Sequence, residues 1–249
     1  MTQPVNRYCL IMLLLLIWGP GCQKDEETTR STITVSIQHK VNQAPLALAN
    51  TSYTNALGQP FTVTAFKYYL SNFTFTRADG SRVRINGQYY FVDEAVPESK
   101  KLTIANVPFG DYTGMSFTIG VDSIRNVSGA QTGALDPLSG MFWSWNSGYI
   151  MAKFEGTSKV STAADTSLVF HVGGFKGEYN SLQTVALNTG SFKVPDNTHI
   201  ALTADVATWF NTPNPISFIT INKVHTPGID GYKFSQNYSN MFTSVAVSE

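Results

Sequence analysis

The chain has 249 residues, 17 Lys and Arg against 17 Asp and Glu, 43% hydrophobic residues and two cysteines. This balance offers no basic field for a phosphate backbone, whose binding draws on clustered Lys and Arg, and so argues against nucleic acid as a partner. Two cysteines are too few for a disulfide scaffold, and about 220 residues past the amino-terminal segment suffice to bury a core without one.

Arg7 precedes the apolar run Leu10 to Trp18, which is followed by Gly19, Pro20, Gly21 and Cys22. A positive start, an apolar centre and a small-residue end are the parts of a signal peptide, and the run is shorter than the roughly 20 residues of a spanning helix. Residues 1–21 are therefore expected to be removed, which discards Cys9 and leaves Cys22 first. The mature balance becomes 16 basic against 17 acidic residues, because only Arg7 is lost. The segment around Cys22 resembles a lipobox, in which that cysteine is acylated. Two acyl chains with an amide-linked third anchor a protein stably, as one alone does not. Residues 22–31, with the sequence CQKDEETTRS, are too polar for a core and read as a flexible tether. Their acidic cluster resembles the surface-display signal of lipoproteins of the Bacteroidota type, which implies an outer-membrane lipoprotein on the cell-surface or periplasmic face.

Residues 32–249 read as one all-β domain, an antiparallel β-sandwich with elaborated loops and only short helices. In TITVSIQHK, Ile33, Val35, Ile37 and His39 alternate with Thr34, Ser36 and Gln38, the period of a half-buried strand. Further strands are expected from Phe61, Val83, Lys101, Tyr112, Gly148, Thr166, Leu182, Thr198 and Pro215, separated by turn sequences such as ADGS and VPDN. Helix is expected only at ADVATWF from Ala204 and NYSNMF from Asn237. The stretch from Asp122 to Asn146 is weakly patterned and long, which in a compact domain marks a functional or covering loop.

That loop leads into GMFWSWNSGYIMAKFEG, residues 140–156, with FHVGG around His171 soon after. Trp143 and Trp145 share a face if the segment is extended, and serve either as a shield over a site or as a hydrophobic plug. Met115 and Met141 are soft neighbours or core filler. His39 is expected to point inward, where an unsatisfied polar group costs about 1–3 kcal/mol; a hydrogen bond or a metal would satisfy it. Gly173 and Gly174 after His171 permit close backbone approach or a strand-ending turn. His199 falls on an exposed or supporting face, and His225 lies in a loop after an apolar segment; both stay in reserve. Asp122, Asn126 and Asp136 gather oxygens that suit calcium or, more cheaply, local caps.

No nucleophile elbow, HExxH or dinucleotide loop occurs, and Glu155 and Glu178 have no evident reacting partner, so binding without catalysis is expected. A competing reading makes Trp143, Trp145 and Tyr149 an aromatic platform for carbohydrate or peptide.

The order YYLSNFTFTRADG from Tyr68, YYFVDE from Tyr89, VPFGDYTGMSFTIGVDSIRN from Val107, GALDPLSGMFWSWNSGYIMAKFEG from Gly133 and FHVGG from Phe170 resembles the MbnP-like family. These are periplasmic or surface copper-binding proteins named for a methanobactin-associated member, and the resemblance covers nearly all of residues 32–244. It implies copper held by histidine, with a tryptophan oxidised to kynurenine by a partner di-haem enzyme. It further implies a metal site drawn from His39, His171, Trp143 and Trp145, and a copper-transfer partner. Neutral imidazole coordinates Cu(I) or Cu(II) and thioether sulfur favours Cu(I), while the mature chain has no thiolate but Cys22. A structural zinc site would ask for four ligands.

Overall fold

The computed structural model describes residue 1 and residues 29–129, 131–144, 147–195 and 197–248. The signal segment, Cys22, most of the tether and Trp145 lie outside them. The first half of the chain forms β1 (Arg30–Val41), β2 (Ala44–Pro45), β3 (Tyr53–Thr54), β4 (Pro60–Arg77), β5 (Arg82–Arg84), β6 (Tyr89–Asp93), β7 (Lys101–Pro108) and β8 (Gly110–Ile119). The second half adds β9 (Phe142–Ser144), β10 (Gly148–Thr157), β11 (Ser167–Gly173), β12 (Gln183–Val194), β13 (His199–Asp205), β14 (Lys223–Val224) and β15 (Phe242–Ser248). The helices are α1 (Ser123–Asn126) and α2 (Ile229–Tyr238). Among the described residues no helix is long and apolar enough to cross a membrane.

The expected all-β sandwich is present. One sheet has the order β15-β13-β1-β2, with β7 also on β1; the larger runs β12-β8-β4-β10-β11-β14, with β3, β5 and β6 on β4 and β9 on β10. Pairing is antiparallel except for β1 with β13 and β11 with β14. Parallel neighbours need a long crossover, and both pairs have one: the chain traverses the larger sheet between β1 and β13, and crosses more than one strand between β11 and β14. Strand β1 opens at Arg30, within the stretch read as a tether.

Strand β4 organises the molecule. Phe61 and Val63 face the main core, then Phe66, Tyr68 and Leu70, then Phe73 and Phe75. Its inward parity switches twice, at register shifts against β10 near Ala65 and against β8 near Asn72, whose φ is 53°. An extra residue in one strand bends the ladder and turns the following side chains over. The strand can thus curve around the core while keeping a large ring inward at almost every step. Trp209, in a short turn at Val206–Phe210, packs fully buried against Phe66, Phe154 and Tyr238.

The opposite face of the larger sheet carries a second core. Tyr69, Val121, Leu135, Met141, Tyr149, Ile150, Met151 and Phe175 are buried together there, with Phe142 and Trp143 packed against them. The chain from Val121 onward lies over this face, as a covering loop should. Asn126 pins it: its Nδ2 donates to the carbonyls of Val121 (2.6 Å) and Asp122 (2.9 Å), and its Oδ1 accepts from the Tyr149 amide at 2.7 Å. Gly148 makes room, because a Cβ there would stand 2.1 Å from Asn126 Oδ1 and its φ of 75° suits only glycine readily.

Two expected elements move. The segment from Pro215 forms turns in place of a strand, because Ile216 and Phe218 are buried individually, Phe218 against Phe61 and Phe210. Helix α2 spans residues 229–238, so only Asn237 and Tyr238 of the expected NYSNMF helix belong to it, and Phe242 already opens β15.

Asn126→Ala removes all three bonds and leaves the buried Tyr149 amide unpaired, a loss of about 1–3 kcal/mol. Urea denaturation should show this drop with no change of fold by circular dichroism. A change under about 0.5 kcal/mol would contradict the pinning role.

Candidate metal centre

The pleat of the larger sheet sets which side chains meet. Lys67 on β4 stands beside Asp93 on β6 and Lys153 on β10, and Lys153 pairs with His171 on β11. Phe170 pairs with Val224 on β14, so His225 comes next beside His171. Alternate residues face opposite ways, and Phe66, Tyr68, Phe154 and Phe170 fill the main core. The row from Asp93 to His225 therefore lies on the outer face, at the margin of the covering loop.

The rings of His171 and His225 are 5.0 Å apart between centroids at 83° to one another. Glu155 accepts from His171 Nε2 at 2.7 Å. A carboxylate only accepts at neutral pH, so Nε2 carries the proton and the lone pair lies on Nδ1, which has no protein partner among the described residues. Both imidazoles are held below the ordinary histidine range. For His171 burial is the largest cause, partly offset by Glu155, with Lys153 adding to the lowering. For His225 it is burial, then Lys223. The pair is thus neutral at pH 7, the state in which imidazole binds a metal. A concavity of about 220 Å³ lined by Lys223, His225, Thr226 and Asp230 opens beside it.

Lys153 ties this pair to the cassette. Its Nζ donates to the Gly140 carbonyl at 2.8 Å and stands 3.8 Å from Glu155. Burial lowers its pKa, with Glu155 opposing. Trp143 lies over Gly173, one pleat beyond His171. A Cβ on Gly173 would come within 2.5 Å of the indole, so glycine is what admits the ring. Trp145 lies outside the described residues.

His39 is elsewhere. It points inward as the alternation of β1 requires and is 3% exposed. Its Nδ1 is 2.5 Å from Glu94 and its Nε2 2.7 Å from the Tyr68 hydroxyl. Both nitrogens are engaged, and the sheet separates it from His171. The expected convergence of His39 and His171 beside the tryptophans is corrected: His171 meets His225, while His39 is a hydrogen-bonded core residue. His199 donates to or accepts from Ser36 at 2.8 Å within the smaller sheet.

The other readings of this region also change. Asp122 caps α1 and accepts from Tyr89, Asp136 caps a turn at Leu138, and Asn126 is spent on backbone groups, so local structure consumes the oxygens considered for calcium. Tyr149 is fully buried with its hydroxyl on the Leu135 carbonyl, which removes it from the aromatic platform, and Trp143 is partly covered. Among the described residues no group of three or more His, Cys, Asp and Glu is assembled around a metal position. What is assembled is two imidazoles and one orienting carboxylate.

His39 gives a pH prediction. Burial lowers its pKa below 6.5, against the opposing hydrogen bond and charge of Glu94. The unfolded chain then binds more protons, so the stability contributed is present above the ordinary histidine value and is lost as pH falls through the lowered one. Nuclear magnetic resonance titration should place His39 below 6.5, with the denaturation midpoint dropping in the same window. A midpoint for His39 above 6.5 would contradict this.

The sequence model of the MbnP family matches residues 30–227. No curated protein matches. Among solved structures, MbnP from Methylosinus trichosporium is similar with a TM-score of 0.56 and 16% identity, over 81% of this chain and 83% of that one. At that identity the likeness is one of fold. The family match takes in β1 through β14, including the cassette, His171 and His225, and the chain belongs to the MbnP family.

Proposed function

We propose that the protein binds copper outside the cytoplasm through His171 and His225, beside Trp143, and stores it or passes it to another envelope component. The observation that carries this reading is the neutral imidazole pair, with Glu155 orienting one ring and leaving its Nδ1 lone pair available. Metal-binding histidines commonly donate their second N–H to a carboxylate, which fixes tautomer and ring direction. Family membership supports copper as the cargo. Two imidazoles without a thiolate suit Cu(I), whereas a closed zinc site would want four ligands.

In this reading Glu155 holds His171, Lys153 fixes the cassette backbone at Gly140, and the Trp143 indole shields the pair from water on the Gly173 side. Trp143 or Trp145 is the residue open to oxidation by a di-haem partner, and the oxidised ring would alter the donors near the metal. His39 is left out of the ligand set because its nitrogens are occupied. The protein acts by binding and exchange and not by catalysis. Acylated Cys22 anchors it to the outer membrane, facing the surface or the periplasm.

Anaerobic Cu(I) loading with metal analysis tests this. Wild type and His39→Gln should load stoichiometrically, His171→Ala and His225→Ala should lose loading, and Glu155→Gln should weaken affinity by about 10–100-fold. Peptide mapping of residues 140–156 on native protein should find an oxidised tryptophan. Unchanged loading in both alanine variants would overturn the assignment.

A further inference from the structure

The polar chain around His39 is unused by the copper reading and has a chemistry of its own. Tyr68 is fully buried, ringed by Phe66 at 5.5 Å and Phe242 at 6.3 Å. Its hydroxyl meets His39 Nε2 at 2.7 Å, and His39 Nδ1 meets Glu94 at 2.5 Å. Lys100 donates to the same Glu94 oxygen at 2.9 Å. Side-chain exposure rises along the series, from 0% at His39 to 10% at Glu94 and 21% at Lys100. The series thus runs from the dry core to the surface.

Proton positions follow from donor rules. Glu94 accepts from both His39 and Lys100, since these bonds and charges outweigh the burial that would raise its pKa. His39 therefore carries its proton on Nδ1 and offers a lone pair at Nε2, to which Tyr68 donates. Burial, with Glu94 nearby, pushes the Tyr68 hydroxyl far above the ordinary tyrosine value, so it does not ionise alone. The other fully buried tyrosines differ. Tyr112, Tyr149 and Tyr238 donate to the carbonyls of Pro108, Leu135 and Ser181, and Tyr69 meets the Ser139 hydroxyl. None of those partners is a base with a lone pair that can hold a transferred proton; the imidazole on Tyr68 is.

We propose that Tyr68 is a redox-active tyrosine whose electron leaves to an outer-sphere one-electron oxidant as its phenolic proton passes to His39. The Tyr68 O–H bond breaks, an N–H bond forms at Nε2, and a neutral tyrosyl radical remains beside an imidazolium held by the Glu94 carboxylate. The oxidant, a metal complex of high potential, is reduced by one electron. Return of an electron from a reductant brings the proton back to Tyr68, because it never leaves the chain of hydrogen bonds. The ring of Phe66, 5.4 Å from Trp209, places the core tryptophan one ring away, so an oxidising equivalent arising there has a reversible resting place.

The test uses copper-free protein, so its outcome is independent of the copper reading. Photogenerated ruthenium(III) tris-bipyridine oxidises wild type, and freeze-quench electron paramagnetic resonance records the radical. A tyrosyl signal is expected whose hyperfine coupling to a histidine ring nitrogen changes when histidine is labelled with nitrogen-15. That measurement needs no substitution. Tyr68→Phe should abolish the histidine-coupled signal, and His39→Gln should lose most of its intensity. A wild-type radical without histidine nitrogen coupling, or the same spectrum from Tyr68→Phe, would overturn the proposal.

Discussion

The pleat of β4, β10 and β11 is the constraint on which the rest depends, because both faces of these strands are covered. Phe66, Tyr68, Phe154 and Phe170 pack into the main core, while Tyr69, Tyr149 and Ile150 pack beneath the covering loop. A sheet buried on both faces has its register fixed twice over, since slipping one residue would turn every ring to the wrong side. The outer row of Lys67, Lys153 and His171 is set by the same alternation. It falls where the covering loop ends, so His171 is placed by two hydrophobic cores, and His225 follows directly on β14.

Two histidines in this molecule sit against carboxylates, and they differ in what their second nitrogen meets. His39 is bracketed by Glu94 and Tyr68 and lies within the core. His171 is oriented by Glu155, and its other nitrogen looks to no protein group among the described residues, with His225 alongside. Carboxylate support fixes the tautomer in both cases. The remaining lone pair then decides the role: occupied by a phenol in one, available to a metal in the other. Burial lowers both pKa values and keeps both rings neutral.

Much of this was legible in the chain. The alternation of Ile33, Val35, Ile37 and His39 correctly turns His39 inward, and the long unpatterned stretch before the cassette correctly marks a covering loop. The parity of His171 with Val169, opposite to Phe170, holds as well. His225 was not legible as a partner because β14 is two residues long and pairs in parallel with a strand some fifty residues earlier, beyond the reach of any local period. The two register shifts in β4 likewise leave no mark in a sequence that is apolar at both parities. Helix α2 was hidden by Gly228 and Gly231, which dilute its amphipathic pattern at the amino-terminal end. His39 enters the ligand set through the family resemblance, and sequence does not reveal that Glu94 and Tyr68 occupy both of its nitrogens.

The most direct test of the central claim is nitrogen-15 resonance of the histidine rings during titration with Cu(I), a diamagnetic ion. The account predicts that the ring nitrogens of His171 and His225 shift together to saturation while those of His39 keep their positions and their hydrogen-bonded character. Movement of the His39 nitrogens with copper, and none in His171 and His225, would contradict it.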